Sequence, residues 1–99
     1  MRYLHNVLFN FNLENLNIRE LNDVVAKFKQ INGVEKAFFG ENITPETDKT
    51  GGYNYGLTVI FDSYENLINY ANAAIHLEFK KLIKGRTNSV RVMDFSLTE

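Results

Sequence analysis

The sequence predicts an α+β fold with the element order β-α-β-β-α-β, and three observations lead to that prediction. Residues 3–13, 53–61 and 88–97 alternate along the chain in the two-residue period of a half-buried strand. Residues 17–33 and 63–85 repeat apolar side chains every three or four positions, as amphipathic helices do. A short β-forming run, 34–42, lies between the first helix and the only proline.

The first strand carries apolar side chains on both of its faces. Tyr3, His5 and Val7 point one way, while Leu4 and Leu8 point the other way. A sheet that is apolar on both faces needs cover on both sides. Helices are expected to cover one face, and a second copy of the chain is expected to cover the other.

Local signals set the ends of the two helices. Asn17 followed by Glu20 has the spacing of a capping box, and Gly33 fits the stop of a helix of about four turns. Ser63 is a suitable N-cap and Gly85 a suitable stop for the second helix. The pattern leaves open whether that helix is long or broken in two. The whole arrangement is the ferredoxin-like split βαβ, with both helices on one face of a four-stranded antiparallel sheet.

Composition limits the function classes. The 99 residues predict one domain, 1–99, and a net charge of -1 gives no basic excess for nucleic acid. Lys80, Lys81, Lys84 and Arg86 form a basic cluster, which is interpreted as a solvated helix end. The absence of cysteine excludes disulfides and thiolate chemistry. With no signal peptide or membrane span in the sequence, we expect a cytoplasmic protein with no membrane or nucleic-acid partner.

Several segments together resemble one known family. These are YLHNVLFNF at the start, the block from GENITPE to GGYNYGLTVIFDS, NYANAAIHLEF, and VRVMDFSL near the end. They resemble the stress-responsive dimeric α/β barrel family, Dabb, over nearly the whole chain. The resemblance implies a ferredoxin-like protomer whose sheet packs face to face with a second copy. Leu4, Leu8 and Ile60 are the residues expected at that homodimer interface.

The chain is also similar to a plant polyketide cyclase of that family, the enzyme that makes olivetolic acid. The resemblance places the catalytic histidine of that enzyme at His76, its tyrosine at Tyr70 and its first pocket histidine at His5. It also places pocket-lining positions at Tyr55 and Leu57. The chain departs from the family at Ala73-Ala74, where the family usually carries His-Pro, so no missing amide enforces a break in the helix there.

The two histidines suggest acid–base chemistry. A neutral imidazole at His76 could remove a proton next to a carbonyl, and the Tyr70 hydroxyl could donate to the oxygen that becomes negative. Such a reaction needs no cofactor. Apolar neighbours on the same predicted faces are expected to contact the substrate: Val7, Phe28 and Phe79, together with Tyr55 and Leu57.

Three functions fit these residues. The first is a dimeric stress-responsive barrel protein that binds a small apolar or aromatic ligand in its pocket. The second is a cofactor-independent lyase or cyclase acting on a polyketide-like or β-keto substrate. The third is a cofactor-free monooxygenase. No metal site is expected, because the histidines lack a paired spacing, and Asp94 and Glu78 are not expected to converge on them.

Overall fold

The computed structural model describes residues 1–99 and has the predicted order of elements. The strands are β1 (Arg2–Phe11), β2 (Val34–Glu41), β3 (Tyr55–Phe61) and β4 (Thr87–Leu97). The helices are α1 (Ile18–Ala26), α2 (Tyr64–Asn69) and α3 (Ala74–Ile83), with 3₁₀ turns at Phe28–Gln30, Thr47–Lys49 and Tyr70–Asn72. All pairs are antiparallel in the order β2-β3-β1-β4, so the predicted ferredoxin-like fold is confirmed.

The predicted helix caps are present, although α1 is shorter than expected. Asn17 Oδ1 accepts the backbone N–H of Glu20 at 3.0 Å, and Ser63 Oγ accepts that of Asn66 at 3.1 Å. Each bond satisfies an amide that has no partner within the helix. The α-helix ends at Ala26 rather than after four turns, and the 3₁₀ turn that follows places Phe28 in the core.

The helices cover one face of the sheet, and this face forms the core. Val7 on β1 pairs directly with Leu57 on β3 and both side chains are buried. Paired residues point to the same side of an antiparallel sheet, so the alternation in β1 and β3 fixes one buried row on each strand. The predicted face of β1 is therefore correct, and it determines which side chains reach the helices.

The second helical segment is broken in two at Ala73. That residue has extended backbone angles, φ −66° and ψ 137°, between the 3₁₀ turn and the start of α3. The break therefore forms without a proline. The Ala73 carbonyl accepts the N–H of Leu77 at 2.9 Å and begins the new helix.

The opposite face of the sheet is open and carries large apolar side chains. Leu8 is 41% exposed, while Leu4 and Ile60 are half-buried and sit directly opposite each other on β1 and β3. The register adds three further exposed residues to this face: Phe38, Met93 and Phe95. None of the helices combines the length and apolar character that a membrane span requires.

Candidate functional site

His5 lies on the helix side of the central strand β1. Its neighbours in the sheet are Val59 on β3 and Asp94 on β4. The His5 Nδ1 is 2.6 Å from Asp94 Oδ1, and a carboxylate oxygen can only accept, so Nδ1 carries the proton in the neutral ring. The lone pair of the neutral imidazole is then on Nε2.

His76 lies in the first turn of α3, three residues after the helix break. Its Nδ1 donates to the carbonyl of Ala71 at 3.2 Å, which satisfies a backbone oxygen at the broken segment. This bond also places the lone pair on Nε2. Burial lowers the pKa of His76, and the charge of Lys80 lowers it further against the effect of the Ala71 bond. The ring is therefore neutral at pH 7.

Tyr70 connects the two histidines. Its ring stacks on His76 with a centroid distance of 4.1 Å and meets His5 edge-on at 5.3 Å. The side chain is buried, and its hydroxyl oxygen has no hydrogen-bond partner. Burial raises the pKa of Tyr70, so the hydroxyl keeps its proton and can act as a donor.

A cavity of about 250 Å³ brings these three residues together. We call it the histidine cavity. Most of its wall is apolar, and the residues that line it are His5, Val7, Phe9, Leu57, Tyr70, His76, Phe79, Lys80, Ile83, Val90 and Val92. Its size lies just below the usual range of small-molecule sites, about 300–1,000 Å³. An apolar cavity with a few polar groups is the usual form of such a site.

Six of the eight predicted site residues line this cavity, and two lie outside it. The six are His5, Val7, Leu57, Tyr70, His76 and Phe79. Phe28 is fully buried behind the site, where it packs edge-on against Tyr70 and His76. Tyr55 lies farther along β3, stacked on Phe39, because the strand carries it away from Leu57 towards the other end of the sheet. Phe28 and Tyr55 were also predicted to line the pocket, and they are not among the residues that line this cavity.

Sequence reasoning also missed several residues of the site. Asp94 was not expected near a histidine, but the pairing of β4 with β1 sets it directly opposite His5. The same register brings Val90 and Val92 to the cavity wall. The alternation of residues 88–97 was the available signal, because Val90, Val92 and Asp94 share one face. Their position beside His5 depends on a strand register that alternation alone does not give.

The fold and the site define a class of protein, a ferredoxin-like domain with an apolar cavity between its sheet and its helices. The stress-responsive A/B barrel domain family, Dabb, matches residues 4–97. The chain belongs to this family, as the sequence resemblance implied. A comparison with curated proteins finds no match.

Solved structures from plants and bacteria share the fold. Protein At3g17210 from Arabidopsis thaliana is 20% identical with a TM-score of 0.77, over 98% of this chain and 96% of that one. A hydroxynitrile lyase from Passiflora edulis is 16% identical with a TM-score of 0.79, over 99% and 94%. A dimeric ferredoxin-like protein of unknown function from Jannaschia is 18% identical with a TM-score of 0.79, over 98% and 100%.

Proposed function

We propose that this chain forms a homodimeric barrel and binds a small apolar or aromatic ligand in the histidine cavity. The observation that carries the proposal is the convergence of His5, Tyr70 and His76 on an otherwise apolar cavity. A buried tyrosine hydroxyl without a partner is costly, typically about 1–3 kcal/mol. A ligand oxygen that accepts its proton would recover that cost, which favours a ligand with an apolar body and a carbonyl or hydroxyl group.

The open sheet face supports the homodimer. Leu8, Phe38 and Phe95 are exposed there on three of the four strands, and exposed apolar surface of this kind marks interaction sites. The Jannaschia neighbour of the same fold is described as dimeric. Light scattering is expected to give twice the monomer mass. Leu8→Glu is expected to give the monomer mass, whereas Ile68→Glu, an exposed site on α2, keeps the dimer.

The tautomers of the two histidines favour a second candidate, a cofactor-independent lyase or cyclase. His76 is neutral, its Nδ1 is held by Ala71, and its Nε2 is free to accept a proton. The Passiflora edulis protein of the same fold is a hydroxynitrile lyase. For this chain we propose a β-keto or polyketide-like substrate, because its acidic C–H lies next to a carbonyl.

The reaction divides among three residues. His76 Nε2 takes the proton from the carbon next to the carbonyl, and the C–H electron pair moves onto the carbonyl oxygen as an enolate. Tyr70 donates its hydroxyl proton in a hydrogen bond to that oxygen. The enolate carbon attacks a second carbonyl of the same substrate, whose C=O electron pair moves onto its oxygen as an alkoxide. The proton taken by His76 passes by way of His5 Nε2 to that alkoxide, and both rings are neutral again. The net change is one new C–C bond, with no proton gained or lost.

A ligand screen with two readouts tests both candidates. Thermal shift on the wild type identifies small aromatic ketones and β-keto acids that stabilise the protein, since a ligand at 100 times its Kd adds about 2.7 kcal/mol. NMR in D₂O then measures exchange of the acidic C–H of each ligand. Binding with exchange that His76→Gln abolishes supports the enzyme. Binding without exchange supports the ligand-binding function and argues against the enzyme. A screen with no stabilising compound argues against both.

A further inference from the structure

A second depression adjoins the mouth of the histidine cavity. It has a volume of about 600 Å³ and lies between the C-terminal half of α3 and the start of β4. We call it the lysine cleft. Its lining residues are Leu77, Lys80, Lys81, Ile83, Lys84, Gly85, Thr87 and Val90.

The lysine cleft and the histidine cavity adjoin each other. Lys80, Ile83 and Val90 line both of them and so form their common boundary. Lys80 is one helical turn after His76 on α3, which places both side chains on the same face of the helix. A ligand in the cavity that extends outwards therefore passes along Lys80.

The charge in the cleft is uncompensated. No carboxylate lines it, and none of Lys80, Lys81 and Lys84 forms an ion pair. Lys27, by contrast, which follows α1, pairs with Glu78 of α3 at 3.1 Å. The chain as a whole has a net charge of -1. The cavity mouth, with three cations and no ionic partner, is therefore much more basic than the protein as a whole.

Helix electrostatics account for only part of this cluster. Cations near a helix C-terminus interact favourably with the helix dipole, and that explains basic residues in the last turn. The dipole effect does not require a lysine to form part of an apolar cavity wall. Lys80 lies between His76 and Ile83 along α3. Its aliphatic stem can therefore form part of the apolar lining while its charged end lies where the cavity opens.

We propose that the ligand of this protein is an amphiphilic anion. Its apolar ring or chain occupies the histidine cavity, and its carboxylate or phosphate group lies in the lysine cleft on Lys80 and Lys84. This inference rests on the proposed ligand-binding function and specifies the class of ligand.

Matched naphthalene probes test the charge requirement by calorimetry. The anionic probes are 1-naphthaleneacetate and 1-naphthyl phosphate, and the neutral probe is 2-(1-naphthyl)ethanol. At low salt we expect at least one anion to bind about tenfold more tightly than the alcohol, with the difference shrinking as salt screens the charges. The anion that binds more tightly identifies the head group.

Variants locate the effect. Lys80→Met with Lys84→Met keeps the aliphatic stems and is expected to remove most of the anion preference while leaving the alcohol affinity unchanged. Lys49→Met, with Lys36→Met, removes the same charge outside both cavities and is the matched control. Val92→Trp is expected to fill the histidine cavity and weaken all three probes at least tenfold.

The outcomes separate the inference from the function on which it rests. One outcome is that Val92→Trp blocks binding of the alcohol and neither anion binds more tightly than the alcohol. This result supports ligand binding in the histidine cavity and contradicts the proposal that the ligand is an anion. An anion preference that both double variants reduce equally also overturns it, because the lysine cleft is then not the cause. If no probe binds, or Val92→Trp has no effect, the ligand cavity fails for these compounds and the inference fails with it.

Discussion

His5 Nδ1 and a carboxylate oxygen of Asp94 lie 2.6 Å apart, across the pairing of β1 with β4. The histidine side chain is 15% exposed and the aspartate 38%, so the bond lies at the boundary of the cavity and solvent. Its effect is to fix the orientation and tautomer of the ring. The carboxylate also favours the positive charge that forms when Nε2 accepts a proton during a reaction.

Asp94→Asn is expected to release that tautomer. An amide group donates as readily as it accepts, so the preference for a proton on Nδ1 of His5 is lost. Nitrogen NMR of the imidazole rings measures the change, and His76 is the internal control because its partner is the Ala71 carbonyl. Cyclisation of a bound substrate is expected to slow at least tenfold, because His5 delivers the proton that neutralises the alkoxide. An unchanged His5 tautomer would show that Asp94 does not position the ring.

His76 is expected to make stability depend on pH. Its pKa in the folded protein is below the ordinary 6.5, so the unfolded state binds more protons as the pH falls. The free energy of unfolding therefore decreases as the pH drops through about 6.5, and this contribution is fully present only above that value. Urea unfolding between about pH 5 and pH 8 measures the slope. His76→Gln keeps an amide for the Ala71 carbonyl and should have the smaller slope; equal slopes contradict the prediction.

Tyr70→Phe is expected to separate stability from function. The hydroxyl is buried without a partner, so its removal costs no hydrogen bond and is expected to leave the free energy of unfolding unchanged or raise it by up to about 1 kcal/mol. The ring contacts with His5 and His76 remain. Proton exchange of a bound ketone is expected to fall about 100-fold. A loss of more than about 1 kcal/mol would mean that the hydroxyl has a partner in solution.

Ala74→Pro is expected to stabilise the protein. Ala74 is the first residue of α3, where proline is favoured, and Ala73 before it already has the extended backbone that precedes proline. The expected gain is about 0.4–1 kcal/mol, from lower entropy of the unfolded chain. Leu77→Pro is the control, because it removes the bond from Leu77 to the Ala73 carbonyl and should cost about 3 kcal/mol. If Ala74→Pro instead destabilises the protein, the backbone at the helix break does not accommodate proline as expected.

The fold was predictable because local signals agreed with one another. Alternation in β1 and β3, together with the caps at Asn17 and Ser63, determined the order of elements and the buried face. The limits of the helices were less predictable. The first apolar stripe continues through Phe28, and apolar spacing does not distinguish an α-helix from a 3₁₀ turn that presents the same side chain to the core.

The site was predictable where position along one element sufficed. His5 and His76 each lie on a face that periodicity identifies, and both line the cavity. Asp94 could not be assigned from periodicity, because its contact with His5 depends on the register between two strands at opposite ends of the chain. The position of Tyr55 outside the cavity has a related cause, because the face of a strand does not specify how far along the sheet a cavity extends.

Successive side chains of β1 point to opposite faces of the sheet, so this one strand contributes to two surfaces. His5 and Val7 line the cavity, while Leu4 and Leu8 lie on the open face. A single substitution therefore changes one surface and spares the other. An inserted or deleted residue near the start of β1 reverses every side chain beyond it. Such a change would expose the cavity wall and bury the open face in the same step, so this strand tolerates exchange of its residues but not a change in its length.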